Sequence, residues 1–344
     1  CIFFGAISGS GPATTAAVGM LMIPAMVNRG YDRSYASAIT ASSGGLGVII
    51  PPSIPLVIFG ISGMGMRPPP EAVEKFGEFQ SLSIPKLFIA GFLPALVIAT
   101  GVIILNYYRC KKRGYMGLTE TWSLSDLAKS LGHGFWSILA PLIILGGIYT
   151  GFFTPTESAI VAIFYTVAVG IFIHKELGLK DIFHSLETTT WITGRVLLIL
   201  FTATVFGRLL VENDIPPIVA EGLLEMTDNM YIIWGLIIAF LLFVGMFMET
   251  LATIMILTPV LLPIMYNLGV DPVHFGVVMV AALAVGFQTP PLGENLFVAS
   301  GIGGSTIEEI SVKALPFALT SIVAIFVIAY VPEISLWLPS LLGY

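Results

Sequence analysis

Four short stretches hold most of the residues with something to offer a ligand. The first is Ser8-Gly9-Ser10-Gly11-Pro12. The second is Ser42-Ser43-Gly44-Gly45-Leu46-Gly47, running on to Pro51-Pro52 and Ser53. The third is Met248-Glu249-Thr250, and the fourth is Gly286-Phe287-Gln288-Thr289-Pro290-Pro291. Glycine lets a backbone unwind and approach a ligand closely. Proline removes a donor and frees a carbonyl upstream. Freed carbonyls with Ser or Thr hydroxyls form a hard-oxygen cage suited to a small cation such as Na⁺. Half-helix N-termini after each stretch offer amides and a partial positive charge to an anion. One glycine or proline alone reads as readily as a packing kink; the four clusters together point to function.

Glu249 and Glu294 lie in apolar surroundings, where a carboxylate is expensive and reads as functional. Either coordinates a cation or carries a proton, or hydrogen-bonds as a neutral acid. Asn295 orients a polar substrate or bonds its own helix. Arg195 and Arg208 read as helix-end anchors. The four histidines fall near span ends or loops and form no metal cluster. Cys1 and Cys110 suggest neither a disulfide nor a metal site.

These residues must be carried by membrane helices. Apolar residues make up 56% of the 344, and charged residues only 10%, where about 25% is usual. The mean hydropathy is +0.94. Such a chain is neither soluble nor disordered, and nothing in it suggests nucleic-acid binding. The formal charge, 15 − 21 = −6, says less than where the cations sit. The clearest spans are 86–108, 134–151, 156–173, 194–212 and 314–331, each near the ~20 residues a crossing needs. The basic run Arg109-Cys110-Lys111-Lys112-Arg113 places its loop in the cytoplasm. Counting from there puts 62–85 and the turn at 153–156 outside. His174-Lys175-Glu176 falls inside. Segments 122–132 and 181–191 look amphipathic and suit the cytoplasmic interface. The pairs 1–8 with 12–27, and 231–247 with 251–266, are arms marginal or short for crossing and read as re-entrant hairpins. The stretches 34–61 and 273–302 that follow them read as broken helices.

Residues 4–60 align with 243–299 without a gap. Pro24, Met26, Asn28, Gly30 and Asp32 meet Pro263, Met265, Asn267, Gly269 and Asp271. Gly47 meets Gly286, and Pro51-Pro52 meets Pro290-Pro291. The first hairpin ends beside Arg29 and Arg33, hence inside. The second ends with no Lys or Arg, hence outside. Inverted repeats with interrupted helices mark a secondary transporter with its site at the repeat interface.

At these clusters the sequence resembles the large membrane subunit of tripartite ATP-independent periplasmic (TRAP) transporters. The matching stretches are GAISGSGPATTAAVGMLMIPAM, GGLGVIIPPSIPLVIFGI, METLATIMILTPVLLPIM and GFQTPPLGENLFVASGI. Members are longer at the N-terminus, so the chain reads as a fragment. The resemblance implies an all-α polytopic elevator in the bacterial inner membrane. It implies Na⁺-driven uptake of a small organic acid, such as a C4-dicarboxylate or sialic acid. A periplasmic substrate-binding protein would deliver the substrate, and a small membrane subunit would complete the complex. No organic cofactor or enzyme activity is expected.

Carried over, the resemblance implies one Na⁺ site at Ser8, Gly9, Ser10, Gly44, Gly45 and Gly47. The other falls at Glu249, Thr250, Gly286 and Thr289. Substrate is expected near Ser10, Thr14, Ser43, Pro51, Ser53, Glu249, Pro290 and Asn295. The expected divisions are 1–61 and 231–302 as transport repeats, 62–230 as mainly scaffold spans with arm-like and interfacial helices, and 303–344 as a C-terminal scaffold span. The rival readings are a divalent-anion/Na⁺ symporter that needs no binding protein, a channel, and an intramembrane serine protease using Ser10.

Overall fold

The helices begin where the sequence supplies a cap. Asp32 starts α3 (Arg33–Gly44) by accepting from Tyr35 N–H at 2.8 Å and from Ser34 Oγ at 2.6 Å. Its repeat partner Asp271 starts α13 (Pro272–Gly286) in the same way, accepting from Val273 N–H at 2.8 Å and His274 N–H at 3.2 Å. Such a cap satisfies amides that have no partner within the helix. The aligned aspartates thus have a common structural cause.

The computed structural model describes every residue except 80, 116–122, 216–217, 220, 223–226, 228 and 292, and of 126, 127, 133 and 211 only the backbone. No β-strand occurs among the described residues. The chain forms two compact units, Cys1–Tyr115 with Thr202–Tyr344, and Met116–Phe201.

In the first unit, α1 (Ile2–Ser8) and α2 (Gly11–Val27) form a hairpin. Next come α3, the single turn α4 (Leu46–Ile49) and α5 (Ile54–Gly63). A short α6 (Pro70–Phe76) leads to α7 (Ile84–Arg113). The later part repeats the pattern. A second hairpin, α11 (Met230–Gly245) and α12 (Thr250–Asn267), is followed by α13, α14 (Glu294–Gly303), α15 (Ile307–Tyr330) and α16 (Glu333–Leu341). The repeats share a core in which Ile23, Ala36, Ala38 and Ala41 pack with Leu296, Ala299, Ile310 and Ala314. Helices α7 and α15 lie in the same compact unit as both hairpins.

The two hairpins open toward opposite ends of α7. That helix has 30 residues, about 45 Å at 1.5 Å each. Beyond its C-terminal end, Tyr115 stacks on Tyr31 at 4.3 Å between centroids, and Asp32 N–H donates to Tyr115 OH at 3.1 Å. Ahead of its N-terminal end, Phe79 meets Tyr266 edge-on at 4.9 Å. Phe76 there lies within 3.0 Å of where a Gly269 side chain would begin.

The second unit contains α8 (Leu124–Tyr149), α9 (Pro155–Ala168) with a π-helical continuation Val169–His174, and the start of α10 (Leu179–Glu212). Thr154 and Glu157 close a capping box at α9, and Tyr165 OH donates to Trp136 O at 2.7 Å. The amphipathic segments 181–191 and 124–132 are not separate interfacial helices; residue 122 lies outside the described residues. Each runs unbroken into the following span, giving helices of 34 and 26 residues. No proline separates the segments, and single glycines such as Gly132 and Gly194 are tolerated inside a helix.

Among the described residues, six helical segments are long and apolar enough to cross a membrane, including Arg33–Gly63, Ile84–Arg113 and Ile307–Tyr330. Large apolar side chains face outward along them, including Ile103, Phe164, Phe201 and Val323. Water would not tolerate so much exposed apolar surface; lipid would.

Candidate functional site

The first hairpin tip is built by one glycine. Gly9 takes φ 61°, a left-handed value that needs no side chain, and its N–H closes α1 on Gly5 O at 2.8 Å. Ser10 is then extended, and α2 starts at Gly11 with no side-chain cap. Around the tip, Thr14 Oγ1 donates to Ser10 O at 2.7 Å and lies 2.9 Å from Ser8 Oγ. Ser8 Oγ also donates to Ser10 O, at 3.3 Å. Ser10's polar neighbours are therefore Ser8 and Thr14, with no histidine among the described partners.

This tip sits directly on the first break. Ile54 N–H donates to Gly9 O at 3.5 Å, and a side chain on Gly9 would fall 2.6 Å from Pro52 O. Deeper down, a side chain on Gly47 would collide with Thr14 Oγ1, and Gly5 packs backbone against backbone on Gly47. Ser8, Ser10, Thr14, Gly47, Pro51 and Ser53 thus gather in one region.

The second repeat makes the equivalent contact. A side chain on Gly286 would collide with the backbone of Gly245, where α11 ends. Thr253 Oγ1 donates to Glu249 O at 2.9 Å, as Thr14 does to Ser10 O. Glu249 Oε2 accepts from Ala252 N–H at 3.0 Å. The half-buried carboxylate therefore caps α12, whereas the matching N-terminus of α2 stays open. Thr289 Oγ1 donates to Val285 O at 2.7 Å. Pro51-Pro52 and Pro290-Pro291, at equivalent positions, both have cis peptide bonds.

The repeats meet near their breaks. A side chain on Gly45 would lie 3.1 Å from Ala284 O. Residues 45 and 284 are themselves partners in the sequence alignment at an offset of 239. Asn295, fully buried, reaches from α14 to donate Nδ2 to Ala41 O at 3.0 Å.

Several of the expected site residues also make packing or capping contacts. Gly44, Gly45 and Gly47 do not unwind: α3 and α4 flank Gly45, itself at helical φ −58°. The first chain break comes later, at Ile50–Ser53. The glycines instead allow close packing, since side chains there would meet Thr15, Ala284 and Thr14. Ser53's hydroxyl is spent within the protein, donating to Val48 O and accepting from Leu56 N–H at 3.2 Å to cap α5. Ser43 and Pro290 are half-buried, and Thr250 is buried at the start of α12. Arg208 pairs with Glu212 at 2.9 Å on an exposed helix face, as a helix-end anchor would.

Sequence reading placed Ser42 and Gln288 in the polar clusters but assigned no site role to them or to Thr15. Each is buried near these breaks with an oxygen lacking a hydrogen-bond partner. Gln288 Nε2 donates to Ser321 Oγ at 3.2 Å. No spacing rule marks these residues, because what distinguishes them is which helix lies opposite. Histidine 274 is likewise buried, with Nε2 3.1 Å from Ala329 O. No group of three or more potential metal-binding His, Cys, Asp or Glu residues occurs among the described residues.

A helical, multi-span membrane protein with a twice-used hairpin set against an interrupted helix is the architecture of a solute permease rather than of a soluble enzyme. The chain belongs to the family of the DctM component of tripartite ATP-independent periplasmic transporters, whose model matches residues 1–334. It is 41% identical over 337 residues to the isethionate TRAP transporter permease protein DctMQ of Oleidesulfovibrio alaskensis, covering 98% of this chain and 50% of that one. It is 36% identical to the C4-dicarboxylate TRAP transporter large permease protein DctM of Rhodobacter capsulatus, covering 100% of this chain and 77% of that one. It is also 36% identical to the sialic acid TRAP transporter large permease protein SiaM of Vibrio cholerae, covering 100% and 76%. The chain thus spans half of the first relative and about three-quarters of the other two. These relatives are permeases, not enzymes, and family and helices together make this a multi-pass inner-membrane protein.

Proposed function

We propose that the chain is the core of a secondary active transporter that takes up an organic anion with Na⁺. The observation that carries this reading is the paired contact of hairpin tip and broken helix. Thr14, hydrogen-bonded with Ser8 and Ser10, lies on Gly47, and Gly245, which ends the hairpin arm just before Glu249, lies on Gly286. Each pair gathers hydroxyl and carbonyl oxygens into a setting suited to a small hard cation. Substrate lies between the tips, with the open N-terminus of α2 as its anion-facing end. Hairpins opening toward opposite ends of α7 support an inverted-repeat elevator, and the shared packing of α7 and α15 with the repeats has those helices travel with them.

The relatives named for isethionate, C4-dicarboxylate and sialic acid support a substrate that is a small organic acid, carboxylate or sulfonate. A periplasmic binding protein delivers it, and a small membrane subunit, separate or fused, completes the complex. The test is uptake in proteoliposomes containing the full-length protein, with and without Na⁺ and with and without the candidate binding protein. Uptake should require both. Equal uptake without the binding protein would favour a free-standing symporter, and uptake indifferent to Na⁺ would remove the cation cages.

A further inference from the structure

In a regular helix the N–H of Gly45 would donate to Ala41 O. Here it turns to Ser43 O instead. Ala41 O receives its donor from the other repeat: Asn295 Nδ2, at 3.0 Å. This bond falls where α3 gives way to α4. Asn295 is also tied to its own repeat, because its backbone N–H donates to Phe287 O at 3.0 Å, one residue past Gly286. Its Oδ1 has no hydrogen-bond partner and lies 3.3 Å from where a Gly11 side chain would begin, at the first hairpin tip. One fully buried residue therefore touches the C-terminal part of α3, the second break and the first tip.

The link is not reciprocated: the residue aligned with Asn295 in the first repeat is Leu56 (295 − 239 = 56, the same offset as 243 − 4), whose side chain has no polar atom to return the bond. We propose that Asn295 is a positioning residue that couples the two cation cages, so that occupation of one sets the geometry of the other. This rests on the two-cage reading above. An ion drawn to oxygens near Gly286 shifts the Phe287 carbonyl region, and Asn295 carries that shift to Ala41 and the end of α3 beside Gly44 and Gly47. Burial makes the connection matter, since an amide hydrogen bond is stronger where the dielectric is low and costly to leave unmade.

The experiment is a Na⁺ titration of thermal stability in the purified full-length protein, comparing wild type, Asn295→Ser and Asn295→Leu. Uptake is measured in parallel. Two coupled sites allow a Hill coefficient of up to about 2. The expected result is cooperative Na⁺ dependence in wild type that falls to a coefficient of about 1 in Asn295→Leu, with Na⁺ stabilisation itself retained. Asn295→Ser keeps a hydroxyl and creates a smaller perturbation, so it reports on the link even if the leucine variant does not fold. Wild-type stability unaffected by Na⁺ would defeat the cage reading and the proposal with it. Na⁺ stabilisation with an unchanged coefficient in Asn295→Ser and in any folded Asn295→Leu would overturn the proposal alone, as would a non-cooperative wild type.

Discussion

Ser10 and Glu249 occupy matching positions yet leave their helices differently prepared. Glu249 places a carboxylate on the N-terminus of α12, where it offsets the positive end of the helix; Ser10 leaves the N-terminus of α2 open. Glu249→Gln keeps an amide oxygen able to cap Ala252 but removes the charge. Uptake driven by a Na⁺ gradient at neutral pH should survive, with weaker Na⁺ affinity. Uphill uptake on a proton gradient alone, in Na⁺-free buffer and abolished by Glu249→Gln, would instead assign this carboxyl the coupling proton. The glycines give a second residue-scale expectation. Gly286→Ala drives a methyl into the Gly245 backbone, which cannot rotate away. It should cost about 1–3 kcal/mol by overpacking, seen as a lowered melting temperature. Gly301→Ala, in α14 with open space around it, should be neutral or stabilising by up to about 1 kcal/mol.

Elements begin and end for local reasons, and the aspartate caps are the clearest. Removing either, as Asp32→Ala or Asp271→Ala, should cost about 1 kcal/mol, measured as a fall in melting temperature. Asp32 also predicts a pH effect. The Ser34 hydroxyl, helped by the Tyr35 amide, holds its carboxyl below the usual carboxylate range. A lowered value in the folded state means the stabilisation is fully present above the unfolded-state value. It is lost as pH falls through the ordinary carboxylate range and below it. The Asp32→Ala penalty should therefore be full at pH 7 and shrink in acid. A penalty constant across that range would mean the cap does not act through its charge. The breaks obey local chemistry too, but at a different place from the glycine run: the prolines and Ser53 interrupt the first helix, and the glycines admit its neighbours.

The whole molecule sets sidedness and what moves with what. With Cys1 and Cys110 replaced by Ser, a single cysteine at exposed Arg29 or Arg33 should react only from the cytoplasm. One at exposed Glu78 should react only from outside. Leu268, at the second hairpin's outlet, is buried and would be a poor probe. Reaction of both kinds of site from one side would sink the opposed-hairpin arrangement. A short thiol crosslinker joining Tyr31→Cys to Tyr115→Cys should leave uptake intact, because the end of α7 and the first hairpin already pack together in one unit. Arrest of uptake by that bridge would mean that α7 moves against the hairpin.

Composition, span positions, the internal repeat at an offset of 239 residues and the four polar clusters were legible in the sequence, because hydropathy, proline and glycine act within a few residues of where they stand. The Gly9 tip and the proline breaks are of this kind. Tertiary structure decided the rest. It spent the Ser53 hydroxyl on Val48, turned Glu249 into a cap, kept Gly44–Gly47 helical, and set Asn295 across the two repeats. It also gathered α7 and α15 with the hairpins and fused the amphipathic segments into long helices. The physical reason is one of range. A residue's hydropathy and backbone freedom belong to it alone, whereas the use of a hydroxyl, a carboxylate or the bare face of a glycine depends on which atoms stand opposite. In this protein those atoms belong, at the decisive contact between Asn295 and Ala41, to a segment 254 residues away.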